Sequence, residues 1–263
     1  MSTKGFSHNR PQRGAAAGRT LVVFALLSLM TLMLWGRSRP LSLAGHHLVT
    51  TIRQALVPWA SYYHVWVVTS AIYFLCIPMI AARSLYSLSL REMGIAWFRA
   101  KDLKVIALLY VIALPALAIL ASRDAMFHFY EPYFRGGLRD YLVWTNILML
   151  IEHASFQGVL VALLEPGFFT GRPSMSSPIR GIRAAFAEVR AIDGRILLVI
   201  LLDGLLFMLI HIGKPLVEVA AALPSGILLA SLAYRFRTFL VCYLLHTMTA
   251  GTIVALIYLF HPL

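Results

Sequence analysis

Ionisable side chains inside the most apolar stretches of this chain are the residues whose types could do chemistry. An ionisable group at the centre of a bilayer costs roughly 2.5–3.5 kcal/mol on insertion scales, so each needs a compensating role. The set is Glu152, His153, Asp203, His211, Glu218 and His246. A carboxylate with two imidazoles is the smallest set that activates water, either by general base catalysis or by holding Zn²⁺.

The first of these stretches, IEHASFQGVL, carries its polar residues at helical spacing. His153 and Gln157 are four residues apart and share a helix face with Asn146, whereas Glu152 points about 100° away. This pattern predicts a helix with a polar wedge that faces the interior of a helical bundle rather than lipid.

Two later stretches repeat the arrangement. Asp203, Phe207 and His211 follow one another at intervals of four and share a face, and His246 is followed one turn later by Thr249. Three helices therefore each bring an acid or an imidazole to the bundle interior. Any single one of these groups is also explained as an interhelical hydrogen-bond partner, so the chemical interpretation depends on their convergence.

The composition requires a membrane setting for these helices. Hydrophobic residues make up 60% of the 263 residues and charged residues 13%, and the mean hydropathy is +0.78. These values exclude an ordinary soluble domain and predict an all-α, polytopic bundle. A spanning helix needs about 20 mostly apolar residues. About seven such stretches occur, near residues 20–36, 64–83, 104–121, 141–164, 196–212, 216–234 and 238–260.

The basic residues predict the orientation of these spans. With a cytoplasmic N-terminus, sixteen of the 23 Lys and Arg residues fall on the cytoplasmic side. The sequence therefore predicts a multi-pass cell-membrane protein with its N-terminus in the cytoplasm. The apolar stretch near residues 20–36 has no clear small-residue cleavage site, so it is expected to be retained as a membrane anchor rather than removed as a signal peptide. The net charge of +12 is spread between hydrophobic spans, which favours membrane lipid as a partner and argues against nucleic acid.

Three motifs on separate spans resemble those of a known family. EHASFQG, FMLIH and HTMTA follow the order of EExxxRG, FxxxH and HxxxN/D, the motifs of the CAAX-protease and bacteriocin-processing (CPBP, abortive-infection) family of intramembrane proteases. Glu152 matches the first Glu, Phe207 and His211 match the second motif, and His246 matches the third.

The resemblance implies a division of the chain into two parts. Residues 1–84 form a basic cytoplasmic tail with two N-terminal transmembrane helices, and residues 85–263 form a CPBP-like protease core. The motif match itself extends over roughly residues 85–255 and leaves the first two spans unassigned.

The resemblance also implies roles for the matched residues. Glu152 is expected to activate water as the general base, His211 to position that water, and His246 to stabilise the oxyanion. The substrate is expected to be a membrane-associated protein or peptide. Members of the family have been described with and without a metal, so Zn²⁺ held by these same three residues is one option.

Three positions depart from the family motifs. His153 stands at the second Glu, Gln157 at the Arg, and Ala250 at the Asn or Asp. His153 is expected to take over the orienting role of the second Glu. Gln157 and Phe207 are expected to be supporting residues of the site. Ala250 removes an oxyanion donor, a loss that typically costs about 10²–10³ in rate, and Thr249 is the neighbouring hydroxyl that could replace it.

The departures keep two other functions open. One is a catalytically altered relative that binds or scaffolds a membrane partner. The other is a proton-coupled transporter in which Glu152 and the histidines form a relay, although no inverted repeat is visible in the sequence.

The depth of His211 sets a structural requirement for any of these functions. Counting along the fifth span at about 1.5 Å per residue places His211 near its outer end, whereas Glu152 and His246 fall nearer the middle of theirs. A tilted helix or a turn at residues 213–215 inside the bundle would bring the three together, along with Lys214 and Glu218, whose i,i+4 spacing allows an ion pair.

Overall fold

A computed structural model of the protein describes residues 67–68, 70–100, 102–135, 138–165, 167–170 and 193–261. Within these ranges every extended regular element is a helix and no strand occurs, which confirms the all-α expectation. The helices are α1 (Ala71–Tyr86), α2 (Asp102–Ala121), α3 (Asp124–Arg135), α4 (Leu138–His153, continuing as a π-helix over Ala154–Leu160 and ending as α-helix over Val161–Leu164), α5 (Gly194–Leu209), α6 (Leu216–Phe236) and α7 (Leu240–Phe260).

In the part of the chain that the structure describes, four helices are long and apolar enough to cross a membrane. They are Asp102–Ala121, Tyr141–Leu164, Leu216–Phe236 and Leu240–Phe260. These bounds agree with four of the seven expected spans to within two residues. Their length follows from uninterrupted apolar sequence, since each contains about 20 residues without a cluster of charges.

The other three expected spans have different outcomes. The span at 64–83 corresponds to α1, which is a shorter apolar helix that opens as a π-helix over Ala71–Cys76. The span at 196–212 corresponds to α5, which has 16 residues and ends at Leu209. The span at 20–36 lies outside the described residues. In addition, the connection after α2 contains α3, a 12-residue helix that the hydropathy pattern did not predict.

Helix α4 lies at the centre of the bundle. It packs against α1, α5, α6 and α7, and 72% of its most apolar stretch is buried, compared with 6% for α2. Gly158 permits one of these contacts, because a Cβ there would lie 3.0 Å from the carbonyl oxygen of Met93 and 3.1 Å from the ring of Phe239. The helix that carries Glu152 and His153 is therefore held on several sides.

Helices α5 and α6 form the most extensive helix pair in the described structure. Two glycines stand at their crossing. A Cβ on Gly204 would lie 2.5 Å from a side-chain carbon of Ile227, and a Cβ on Gly226 would lie 2.7 Å from Cβ of Phe207 and 2.9 Å from Cα of Gly204. Small residues at such crossings let two backbones approach and gain van der Waals packing. The approach fixes the position of Phe207.

Replacing Gly226 with alanine tests this close approach. We expect Gly226→Ala to destabilise the protein by about 1–3 kcal/mol, because the added methyl group overlaps backbone and a buried ring. The measurement is the unfolding midpoint in detergent micelles. Gly251→Ala on α7 is the matched control: nothing lies within 4 Å of the added Cβ, so the control should be at least as stable as the wild type. Equal midpoints for Gly226→Ala and the wild type would contradict the close approach.

Candidate active site

A cavity of about 370 Å³ lies among α2, α3, α4, α5, α6 and α7. Most of its wall consists of Leu, Ala, Ile, Val and Met side chains. Acidic, basic and imidazole side chains also line it, and they are Glu152, His211, Lys214, Glu218 and His246. The three residues with expected catalytic roles therefore line one cavity, although they come from α4, from the turn after α5 and from α7. An apolar pocket with a few converging polar groups is the usual form of a small-molecule or substrate site.

Glu152 lies where the geometry of α4 changes. The helix is α-helical up to His153 and π-helical from Ala154 to Leu160. Within this region the hydroxyl of Ser155 donates to the carbonyl of Ile151 at 2.6 Å. Short π-helical segments inside α-helices occur frequently at functional sites. Here the segment begins two residues after Glu152 and contains Gln157, so polar side chains of the site lie on both sides of the change.

Phe207 packs among the three histidines. Its ring centroid lies 4.7 Å from that of His211, 5.4 Å from that of His246 and 6.1 Å from that of His153. The rings of His211 and His246 are 6.4 Å apart. Phe207 therefore fixes the spacing of the imidazoles, which is the supporting role that the FxxxH motif predicts.

His211 occupies the turn after α5 and is oriented by the end of that helix. Its Nδ1 lies 2.7 Å from the carbonyl oxygen of Phe207. Because a carbonyl oxygen can only accept, Nδ1 carries the hydrogen, and the neutral ring presents Nε2 as an acceptor. The chain then reverses at Gly213, whose φ of +102° is a conformation that L side chains rarely adopt.

The same turn brings an ion pair to the cavity. Lys214 Nζ lies 2.5 Å from a carboxylate oxygen of Glu218, and the hydroxyl of Tyr130 on α3 donates to Glu218 at 3.1 Å. All three side chains line the cavity. The turn therefore brings His211 and Lys214 to the cavity while Ile212 stays 52% exposed, and the i,i+4 pair forms as its spacing allowed. Tyr130 was not expected at the site, because its segment was not predicted to be helical.

A chain of hydrogen bonds runs behind the cavity across three helices. His246 Nδ1 lies 2.8 Å from His153 Nε2, and His153 Nδ1 lies 2.6 Å from Gln157 Oε1. Gln157 Nε2 donates to Asp203 Oδ2 at 2.6 Å. His153 and Gln157 are 0% exposed and Asp203 is 1% exposed. The four residues, which we call the polar chain, connect α7, α4 and α5.

The polar chain changes the expected grouping of residues on α4. Asn146 was expected to share a stripe with His153 and Gln157, but it lines the cavity with Glu152 and its amide donates to the carbonyl of Leu142. His153 and Gln157 keep the predicted i,i+4 contact and face away from the cavity wall. Asn146 and His153 both lie in the α-helical part of α4, seven residues apart, and the π-helical segment begins only after His153.

The wall near Ala250 has few hydrogen-bond donors. Ala250 and Thr249 both line the cavity, so the position at which the family motif has Asn or Asp faces the site and carries only a methyl group. The hydroxyl of Thr249 lies 3.0 Å from the carbonyl oxygens of Leu245 and His246 and donates to the main chain. In this arrangement Thr249 does not replace the missing donor.

The donor set does not fit the zinc ion that the resemblance allows. Within the described ranges no group of three or more His, Cys, Asp or Glu side chains is arranged to hold a metal ion, although Glu152, His211 and His246 line the same cavity. The chemistry below is therefore derived from the side chains alone.

Comparison of the chain with models of known protein families, with curated proteins and with solved structures found no match. The three motifs and the geometry of the cavity are therefore what support a function for this protein.

Proposed function

We propose that this protein is a multi-pass membrane endopeptidase that hydrolyses a peptide bond in a membrane-associated protein or peptide. The observation that carries the proposal is the convergence of Glu152, His211 and His246 on one apolar cavity. They come from α4, from the turn after α5 and from α7. Because isolated ionisable groups in a membrane are costly and mark functional pathways, their common location favours a joint chemical role.

The membrane setting has support from the outer surface of the bundle. Helix α2 exposes large apolar side chains, including Leu108 at 60% and Ile112 at 64%. Apolar surface of this extent is typical of contact with lipid or with another protein. Together with the four helices long enough to span, it supports insertion in the cell membrane. The proposal extends these four helices to seven spans, which the apolar stretches of the sequence predict. It also places the N-terminus in the cytoplasm, which the distribution of basic residues predicts.

The orientation is tested by cysteine accessibility in whole cells. We expect a cysteine introduced by Ser176→Cys, between the fourth and fifth spans, to be protected from a membrane-impermeant maleimide, because that connection carries five basic residues and belongs in the cytoplasm. Ser122→Cys, in the connection after the third span, is the control and should react from outside. Reversed labelling of the two positions would contradict the proposed orientation.

The proposed reaction is direct attack of water on the scissile carbonyl. Glu152 removes one proton from a water molecule, and the remaining hydroxide adds to the carbonyl carbon. The acceptor nitrogen of His211 holds the second hydrogen of that water and so orients its lone pair. Collapse of the tetrahedral intermediate breaks the C–N bond, and the proton held by Glu152 passes to the leaving nitrogen. The products are a carboxylic acid and an amine, and Glu152 is restored as a carboxylate.

The wall of the cavity indicates the kind of residue that flanks the cleaved bond. Most lining side chains are apolar, and they come mainly from α2, α4, α6 and α7. Apolar side chains of a membrane-associated segment match such a wall, whereas an uncompensated charge would have to be desolvated there. The substrate is therefore an apolar peptide segment that reaches the cavity from the membrane.

Replacing Glu152 with glutamine tests its role as the base. We expect Glu152→Gln to abolish hydrolysis, because the amide keeps the size of the side chain but cannot take a proton at neutral pH. The measurement is cleavage of membrane-segment peptide libraries by purified protein in lipid nanodiscs, read by mass spectrometry. Thermal unfolding of the variant should match that of the wild type.

The control is Glu131→Gln on α3, which removes a carboxylate that does not line the cavity and should leave cleavage unchanged. Wild-type cleavage by Glu152→Gln would show that Glu152 is not the base. Absence of cleavage by the wild-type protein across such libraries would favour a binding or scaffold function instead.

A further inference from the structure

The donor and acceptor pattern of the polar chain determines which nitrogen of His246 carries a hydrogen. Two of its members, His153 and Gln157, depart from the family motifs, and Asp203 belongs to none of them. All three are buried and none of them lines the cavity. His246 is the one member of the polar chain that lines the cavity, so the other three can affect the chemistry of the cavity only through His246.

The pattern starts at Asp203. An amide nitrogen can only donate, so the Gln157 Nε2 that lies 2.6 Å from Asp203 Oδ2 donates to that oxygen. This bond fixes the amide of Gln157, whose oxygen is consequently the atom that faces His153.

Each later bond is then assigned in turn. Gln157 Oε1 accepts, so His153 Nδ1 carries the hydrogen of the 2.6 Å contact. A neutral His153 ring has one hydrogen, and its Nε2 is therefore an acceptor. His246 Nδ1, 2.8 Å away, must donate to it. The remaining nitrogen of His246, Nε2, is left with a lone pair.

We infer that Asp203, Gln157 and His153 are positioning residues that hold His246 as its Nδ1–H tautomer, so that His246 meets the cavity as an acceptor. This inference rests on the proposed hydrolytic function for its chemical meaning. In the resting site His246 Nε2 accepts a hydrogen from water or from the scissile N–H group. His246 is therefore not the oxyanion donor that the family motif implies.

The same connection extends beyond His153. The Nδ1–H bond of His246 to His153 continues through Gln157 to Asp203 at the far end of the polar chain. A carboxylate that fixes the tautomer of an imidazole and stabilises its charged form is a recurrent catalytic arrangement. Here two neutral side chains extend the connection from the carboxylate to the imidazole.

Nitrogen-15 spectroscopy of the histidine rings tests the inference without any substrate. The full-length protein is labelled with ¹⁵N-histidine in nanodiscs, and the signals of His246 among the nine histidines are identified from those lost in His246→Gln. We expect His246 to have a protonated Nδ1 and an unprotonated Nε2. A protonated Nε2 with an unprotonated Nδ1 would mean that the hydrogen bonds of the polar chain donate in the opposite direction, and it would overturn the inference. If His246→Gln does not fold, selective labelling of leucine and histidine identifies the same signals in the wild-type protein, because Leu245–His246 is the one Leu-His step in the sequence.

Asp203→Asn tests whether Asp203 sets the direction in which the hydrogen bonds of the polar chain donate. Asparagine offers either a donor or an acceptor to Gln157, so we expect His246 to show both tautomers and cleavage to fall about tenfold, a usual loss when a group that orients an imidazole is removed. Asp193→Asn at the exposed N-cap of α5 is the matched control, since asparagine caps as well as aspartate. An unchanged tautomer in Asp203→Asn would overturn the role of Asp203.

The outcomes separate this inference from the proposed function. Glu152→Gln should lose cleavage and keep the Nδ1–H tautomer of His246. If the wild-type protein cleaves nothing but shows the expected tautomer, hydrolysis is wrong and the assignment of the polar chain stands. If it cleaves but His246 carries its hydrogen on Nε2, the assignment is wrong and hydrolysis stands.

Discussion

Buried polar groups need hydrogen-bond partners, and this requirement organises the centre of the bundle. His153, Gln157 and Asp203 are almost completely removed from the surface, and an unsatisfied polar group in such a place costs about 1–3 kcal/mol. Each has a partner on another residue of the polar chain, Asp203 through Oδ2 alone, and two of the three bonds join different helices. Satisfying these groups requires α4, α5 and α7 to adopt one relative arrangement. That arrangement is also the one in which Glu152, His211 and His246 line a single cavity.

Close helix packing supports the same arrangement. Gly204 and Gly226 bring α5 and α6 to backbone contact, and this approach holds Phe207 between the histidine rings. Lys214 and its carboxylate partner complete the wall on the other side of His211. The site is thus built from rigid helices and one glycine-dependent turn, an architecture that suits chemistry needing fixed distances.

Local sequence predicted those parts of the structure that depend on local spacing. Apolar stretches of about 20 residues predicted α2, α4, α6 and α7, and the i,i+4 rule predicted the contact between His153 and Gln157. The bond from Gln157 to Asp203 joins residues 46 apart in sequence, and no local pattern predicts such a pairing. Helix α3 was missed because its polar and aromatic residues do not form a membrane-like stretch. The π-helical segment of α4 was not predicted, because apolar periodicity does not distinguish it from an unbroken α-helix.

The coupling between Gln157 and Asp203 tests most directly whether the polar chain holds the bundle together. The measurement is a double-mutant cycle of unfolding free energy in bicelles with Gln157→Leu, Asp203→Leu and the double variant. Each single change leaves a buried partner without its hydrogen bond, so we predict that the double variant is less destabilised than the sum of the single changes by about 1 kcal/mol, within the range measured for interhelical hydrogen bonds in membranes. Additivity within about 0.3 kcal/mol, as found for residues that do not interact, would contradict the account.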